Sequence, residues 1–226
     1  MSNLDDTKLE NYEDEDIDDV LRNLEKSFGI VFNTTAFKDV KTFGDLCDVI
    51  QAHINYEHKD TCTKQQAFYK IRKAISQVQL INESEIQMGS NLKEIFPINN
   101  RRSRIKGFKK HIGIKASILT YPGWFGDACG IGVVLSLIGF FFDWKIALSG
   151  FIFFIAAVRI AERLGNQFEV KTVKQLVDKL VVEHYVEVRR EPGTINRNEI
   201  MNTIKDAFSS QLAIDKRYLT KEAPLV

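Results

Sequence analysis

Apolar residues recur at helical spacing along most of the chain. Glu13 to Phe28 carries Ile17, Val20, Leu21 and Leu24, a period near 3.6. Thr63 to Val78 carries Ala67, Phe68, Ile71, Ala74, Ile75 and Val78 behind a Thr61/Thr63 cap. Arg197 to Leu212 carries Ile200, Ile204, Ala207, Phe208 and Leu212 after the helix-breaking Pro192-Gly193. Between these, Asn100 to Gly113 reads as a short basic amphipathic helix with Ile105, Phe108 and Ile112 on one face. No apolar/polar alternation is long enough to predict a strand. The pattern predicts an all-α fold.

Two stretches break the amphipathic pattern. Ala128 to Phe142 and Ile146 to Val158 contain no charge, and only Asp143-Trp144-Lys145 separates them. Extended to Trp124 and Ala161, they make helices of about 28 and 24 Å against a bilayer core of about 30 Å. Both are apolar on every face, as in Phe140-Phe141-Phe142 and Phe151-Ile152-Phe153-Phe154-Ile155, so neither has a solvated stripe. This predicts a two-helix transmembrane hairpin within residues 124–163, its helices at about 124–142 and 146–161. A re-entrant hairpin and a buried hairpin in a soluble core are the alternatives. Bases are dense before the first helix and recur after the second (Arg159, Arg163, Lys171), which places both termini in the cytoplasm. The expected location is a multi-pass protein of the bacterial inner membrane. Trp124 and Trp144 would sit at opposite interfaces. Ala128, Gly132 and Ser136 form a small-residue stripe on which the second helix is expected to pack.

Composition narrows the function classes. The chain has 226 residues, room for one or two domains, and a net charge of only +1, which argues against a general nucleic-acid binder. Its three cysteines (Cys47, Cys62, Cys129) do not make a disulfide scaffold. The neutral total hides two opposed blocks, −7 over residues 1–26 and +7 over residues 93–115. The acidic start has no apolar run of a secretory signal. The basic block lies just before the hairpin, so Arg101, Arg102, Arg104, Lys106, Lys109 and Lys110 are expected to contact anionic lipid, at about 1 kcal/mol each.

The chain also matches itself. Val40-Lys41-Thr42 to Ile50 recurs from Val170-Lys171-Thr172 to Leu180 at an offset of 130, with Thr42 and Thr172 as N-caps. Gln66–Ser76 matches Glu199–Ser209 at an offset of 133, and Ile81-Asn82, Ile86 and Leu92 match Ile214-Asp215, Leu219 and Leu225. The sequence division is therefore a helical module at 1–98, a basic juxtamembrane segment at 99–123, the hairpin at 124–163 and a shorter copy of the module at 164–226.

Leu24-Glu25-Lys26-Ser27-Phe28-Gly29-Ile30 and Val40-Lys41-Thr42-Phe43-Gly44-Asp45-Leu46 carry a resemblance to a known family. Asp14 to about Gln51 resembles the second half of an acyl carrier protein, from its second helix to its fourth. Ala67–Phe96 and Ile200–Leu225 resemble its first helix and the long loop that follows. The resemblance covers about 140 residues, in pieces and in permuted order, and implies two small acyl-carrier-like helical modules. The family's chemistry needs a phosphopantetheine-bearing serine at the start of the second helix. The matching stretch here is Glu13-Asp14-Glu15, and Ser103, between Arg102 and Arg104, lies too far along. No cofactor and no catalytic residue is expected.

Other constellations are weak. Cys47, His53, His58 and Cys62 lack zinc-ligand spacing, and Gly130-Ile131-Gly132 lacks the strand and third glycine of a dinucleotide loop. Arg189-Arg190-Glu191-Pro192-Gly193 reads as a linker. The expected function is a non-enzymatic, membrane-anchored interaction module (adaptor, scaffold or neutralising partner). Its surface for a still unidentified protein partner would be Asp14, Asp16, Asp18 and Asp19, since carrier proteins meet basic patches there. A membrane-tethered acyl carrier is the first alternative, and a channel or transporter component, a homo-oligomer through the hairpin, is the second.

Overall fold

A computed structural model describes residues 14–33 and 35–225. Along these residues run α1 (Asp14–Phe28), α2 (Phe43–His53), α3 (Thr63–Gln79), α4 (Leu92–Ile95), α5 (Arg101–Ile112), α6 (Gly123–Gly139), α7 (Trp144–Leu164), α8 (Val173–Glu183), α9 (Tyr185–Val188) and α10 (Arg197–Leu212). The β-structure among them is four two-residue strands, β1 (Glu57–His58) parallel to β4 (Thr194–Ile195) and β2 (Leu119–Thr120) antiparallel to β3 (Gln167–Phe168), and two isolated antiparallel bridges, Thr42 with Pro224 and Asn91 with Thr172. The fold is mostly helical, as the periodicity predicts.

The helix boundaries have local causes, and the same cause acts twice. α1 buries Val20, Leu21, Leu24 and Phe28 and stops at Gly29. α5 buries Ile105, Phe108 and Ile112 and stops at Gly113. Both glycines have positive φ (62° and 75°), which only glycine adopts without strain. α2 starts on a reciprocal cap between Thr42 and Asp45, and α8 on the matching cap between Thr172 and Gln175. α3 and α10 end on left-handed Leu80 and Ala213 (φ 55° and 56°). Asn82 and Asp215 then cap short 3-10 turns at Glu83–Glu85 and Lys216–Tyr218 by accepting from Ser84 N and Arg217 N.

Matching backbone bonds tie distant segments together. Leu92 N donates to Lys171 O at 2.9 Å, Val173 N to Ser90 O at 3.0 Å and Lys174 N to Met88 O at 2.8 Å. At the other end, Leu225 N donates to Lys41 O at 3.1 Å, Phe43 N to Ala223 O at 2.8 Å and Gly44 N to Lys221 O at 2.8 Å. One assembly is therefore α3, residues 80–96, α5 and α8. The other is α10, residues 213–225, α1 and α2. The second joins the two ends of the chain, and the first receives α6 and α7 between α5 and α8. In the second, residues 30–33 and 35–41 occupy that place.

The packing runs across the sequence divisions at 98 and 164. α8 packs on α1, α3 and α10, and the buried apolar residues from Val20 to Leu225 form one continuous cluster. A module confined to 164–226 would leave Phe208 without Phe43, whose ring meets it edge-on at 5.4 Å. Residues 189–193 are likewise more than a linker. Arg189 is buried and donates to Thr194 Oγ1, Thr61 O, Thr63 Oγ1 and Thr61 Oγ1. Tyr185 joins this network, accepting from Thr63 Oγ1 at 2.9 Å, and its burial raises the phenol above its usual pKa. Glu199, on α10, accepts from Thr63 N at 3.1 Å and so caps α3. These bonds and the β1–β4 pair hold the starts of α3 and α10 side by side.

Candidate functional site: an apolar hairpin on a charged helical base

α6 and α7 lie antiparallel and touch along small residues. A Cβ on Gly132 would fall 2.5 Å from Phe154 Cε1, and one on Gly150 would fall 2.7 Å from Ser136 Oγ. Gly139 faces Ala147, and Ser136 Oγ donates to Gly132 O at 2.8 Å. Gly132 and Ser136 lie on this contact. Ala128 does not: it is exposed, and Cys129, one residue on, is buried instead. The contact line is Gly132-Ser136-Gly139 against Ala147-Gly150-Phe154, a spacing that keeps one helical face.

The outer faces of this pair are apolar and uncovered. Among the described residues, seventeen of the twenty large exposed apolar side chains lie between 124 and 164. Phe141 and Phe142 at the tip are 89% and 88% exposed. Leaving such side chains in water costs on the order of 1 kcal/mol each, so the set rivals the 5–15 kcal/mol net stability of a domain. α7 has the length and composition to cross a membrane, about 32 Å at 1.5 Å per residue. α6 is a shorter apolar helix of 17 residues, about 26 Å. A hairpin of two full spans is thus not established by these lengths: among the described residues, α7 alone is long and apolar enough to cross a membrane. Trp124 and Trp144 are exposed at opposite ends of the pair, and Lys145 Nζ lies 5.9 Å from the Trp144 ring centre.

The start of α5 is bolted to the end of α7. Arg102 Nη2 donates to Arg163 O and Arg101 Nη1 to Asn166 O, both at 2.7 Å. Arg101 also donates through Nε to Phe96 O at 2.8 Å and stacks on Phe168 at 4.9 Å. It is 6% exposed, and burial lowers its pKa from the usual value. Arg101 is therefore a clamp between the base and the hairpin, held in place rather than free in solvent. Its place on the apolar stripe, four residues before Ile105, is the signal that identifies it. Of the other predicted lipid contacts, Arg104 is partly buried and donates to Gln79 Oε1, and Lys109 is half-buried, its pKa lowered by desolvation. Arg102, Lys106 and Lys110 are exposed.

The predicted partner surface is on α1. Asp16, Asp18 and Asp19 are exposed, opposite the buried Val20, Leu24 and Phe28. Among the described residues, only Asp19 has a cation within ion-pair distance, Arg22 at 3.5 Å, with both side chains largely in solvent. The side chain of Asp14 and the rest of the acidic block before it lie outside the described residues. α5 is the counterpart of α1: Leu24, Lys26, Phe28, Gly29 and Ile30 correspond to Phe108, Lys110, Ile112, Gly113 and Ile114. The two helices carry opposite charge, which hides this correspondence in the sequence.

The remaining candidates are structural. Cys47 is fully buried, and burial pushes its thiol up to about 12. His53 Nδ1 donates to Val49 O, and His58 Nδ1 accepts from Arg197 N. Ser103 is exposed on the first turn of α5. No protein-family model matches this chain, and no curated protein or solved structure matches it.

Proposed function

We propose that this chain is a membrane-anchored interaction scaffold of the bacterial inner membrane. α6 and α7 enter the bilayer, and the helical base stands on the cytoplasmic side. The observation that carries this reading is the concentration of exposed large apolar side chains on one hairpin, while the rest of the described chain exposes only Val31, Leu80 and Ile98. A surface of this kind is closed by lipid or by a partner. The charged positions Asp127, Arg159, Glu162 and Arg163 all lie at the base end, where long side chains reach the interface. The two helical assemblies are read as degenerate acyl-carrier-like modules, one of them made from both chain ends. The acidic face of α1 then serves a basic protein partner rather than an attached acyl group.

Affinity capture of the tagged protein from native membranes in mild detergent tests this. A stoichiometric partner that is lost from the variant carrying Asp16→Lys, Asp18→Lys and Asp19→Lys supports the scaffold. Co-capture of acyl-transfer enzymes with a phosphopantetheine adduct on the bait would overturn it in favour of a carrier.

A further inference from the structure

A cavity of about 510 Å³ opens where the hairpin meets the base. Its hairpin side is apolar or aromatic, with Tyr121, Phe125, Ala161 and Leu164. Its base side carries Lys93 and Arg101 beside Asn166. Three features of this wall are unmatched within the protein. Neither Lys93 nor Arg101 has a carboxylate within ion-pair distance among the described residues. The Arg101 guanidinium is fixed by Phe96 O, Asn166 O and the Phe168 ring, but its Nη2 has no hydrogen-bond partner among the described residues. Asn166 Oδ1 is buried without a partner. An apolar wall continuous with the hairpin, with the fixed Arg101 guanidinium and the exposed, unneutralised Lys93 ammonium below it, makes an amphipathic slot.

We propose that this slot binds one anionic phospholipid, with its phosphodiester at Lys93 and Arg101. A headgroup hydroxyl would donate to Asn166 Oδ1, and the acyl chains would lie along Phe125, Ala161 and Leu164. Charge complementarity selects the anion, because a zwitterionic headgroup would bring its own cation to a wall that already holds two. Depth selects a lipid over a free anion, because the apolar wall gains only from an acyl chain. The inference rests on the hairpin entering a bilayer. It adds a defined lipid position distinct from the diffuse attraction of the exposed bases on α5.

Native mass spectrometry of the full-length protein, extracted in detergent and offered phosphatidylglycerol or phosphatidylcholine, tests it. One phosphatidylglycerol per chain should be retained at least fivefold over phosphatidylcholine. Lys93→Glu and the slot-filling Leu164→Trp should each abolish that preference, while Lys106→Glu, on an exposed position of α5, should keep it. Equal retention of the two lipids, a Lys93→Glu protein that behaves as wild type, or displacement of the lipid by millimolar inorganic phosphate would overturn the site. Flotation with pure phosphatidylcholine vesicles separates the two levels. A protein that does not float loses the membrane reading as well, whereas one that floats without lipid preference loses only the slot.

Discussion

Cys47 and Cys62 show how far environment sets the chemistry of one residue type. Cys47 sits under α10 with its thiol raised to about 12, whereas Cys62 is exposed at the start of α3. Only the thiolate is nucleophilic, so a maleimide at pH 8 should modify Cys62 within minutes and leave Cys47 untouched until denaturant is added. Peptide mapping reads this directly, and rapid modification of native Cys47 would show that the α2–α10 packing is wrong. The two reciprocal caps make a second contrast. Hydrogen bonds from the Thr42 side chain and from the backbone at Lys41 and Thr42 hold the Asp45 carboxyl below its ordinary pKa. Its stabilising effect is therefore present above about pH 4 and lost as pH falls through the lower folded-state value. Gln175 plays the same part at the start of α8 and does not titrate. Asp45→Gln should consequently lower the melting temperature less at pH 3 than at pH 6. An equal loss at both pH values would contradict the cap. Thr42→Ala should cost about 1 kcal/mol at pH 6, as N-cap removal usually does, and less at pH 3, because the Thr42 hydroxyl is the largest cause of the lowered Asp45 pKa.

At the scale of elements, much of the design was legible in the chain. The 3.6-residue spacing marks α1, α3 and α10, and the Thr caps mark the starts of α2 and α8, because these signals are local. The two apolar helices α6 and α7 were legible from uncharged length alone. The contact line between them was legible only in part: a stripe of small residues names a face, but the partner helix decides which members meet it. Gly132 lies under Phe154 and Ala128 faces outward. Gly132→Leu should therefore push the helices apart, at a typical overpacking cost of about 1–3 kcal/mol. A disulfide formed between Ser136→Cys and Gly150→Cys should disappear when Gly132→Leu is added. It should persist with Ala128→Leu, and the reverse pattern would move the contact to the predicted stripe. The fixed place of Arg101 was hidden for a related reason. Charge dominates a sequence reading, but four residues before Ile105 on a buried face a guanidinium is recruited to carbonyls and an aromatic ring.

For the whole molecule, the decisive information is long-range. The bonds from Phe43 and Gly44 to Ala223 and Lys221 span nearly the full chain, and nothing in a local pattern states that 14–53 closes on 197–225. The internal match showed that the pieces were alike but not which pieces pack together. A consequence follows for truncation. Ending the chain at Asn196 removes α10 and uncovers Phe43, Leu46 and Leu24, so trypsin should cut within residues 14–53 under conditions where the full chain resists. A protected N-terminal fragment would mean that this half folds without the C-terminal end. The central claim, that the hairpin crosses a bilayer with the base on one side, is tested most directly by cysteine accessibility in intact cells. Cys47 and Cys129 are replaced by Ala, and the native Cys62 on the base is compared with Phe141→Cys at the tip in a Cys62→Ser background. A membrane-impermeant maleimide should label the tip from outside the cell and reach Cys62 only after the membrane is permeabilised. Labelling of both positions from the same side would show that the hairpin does not cross.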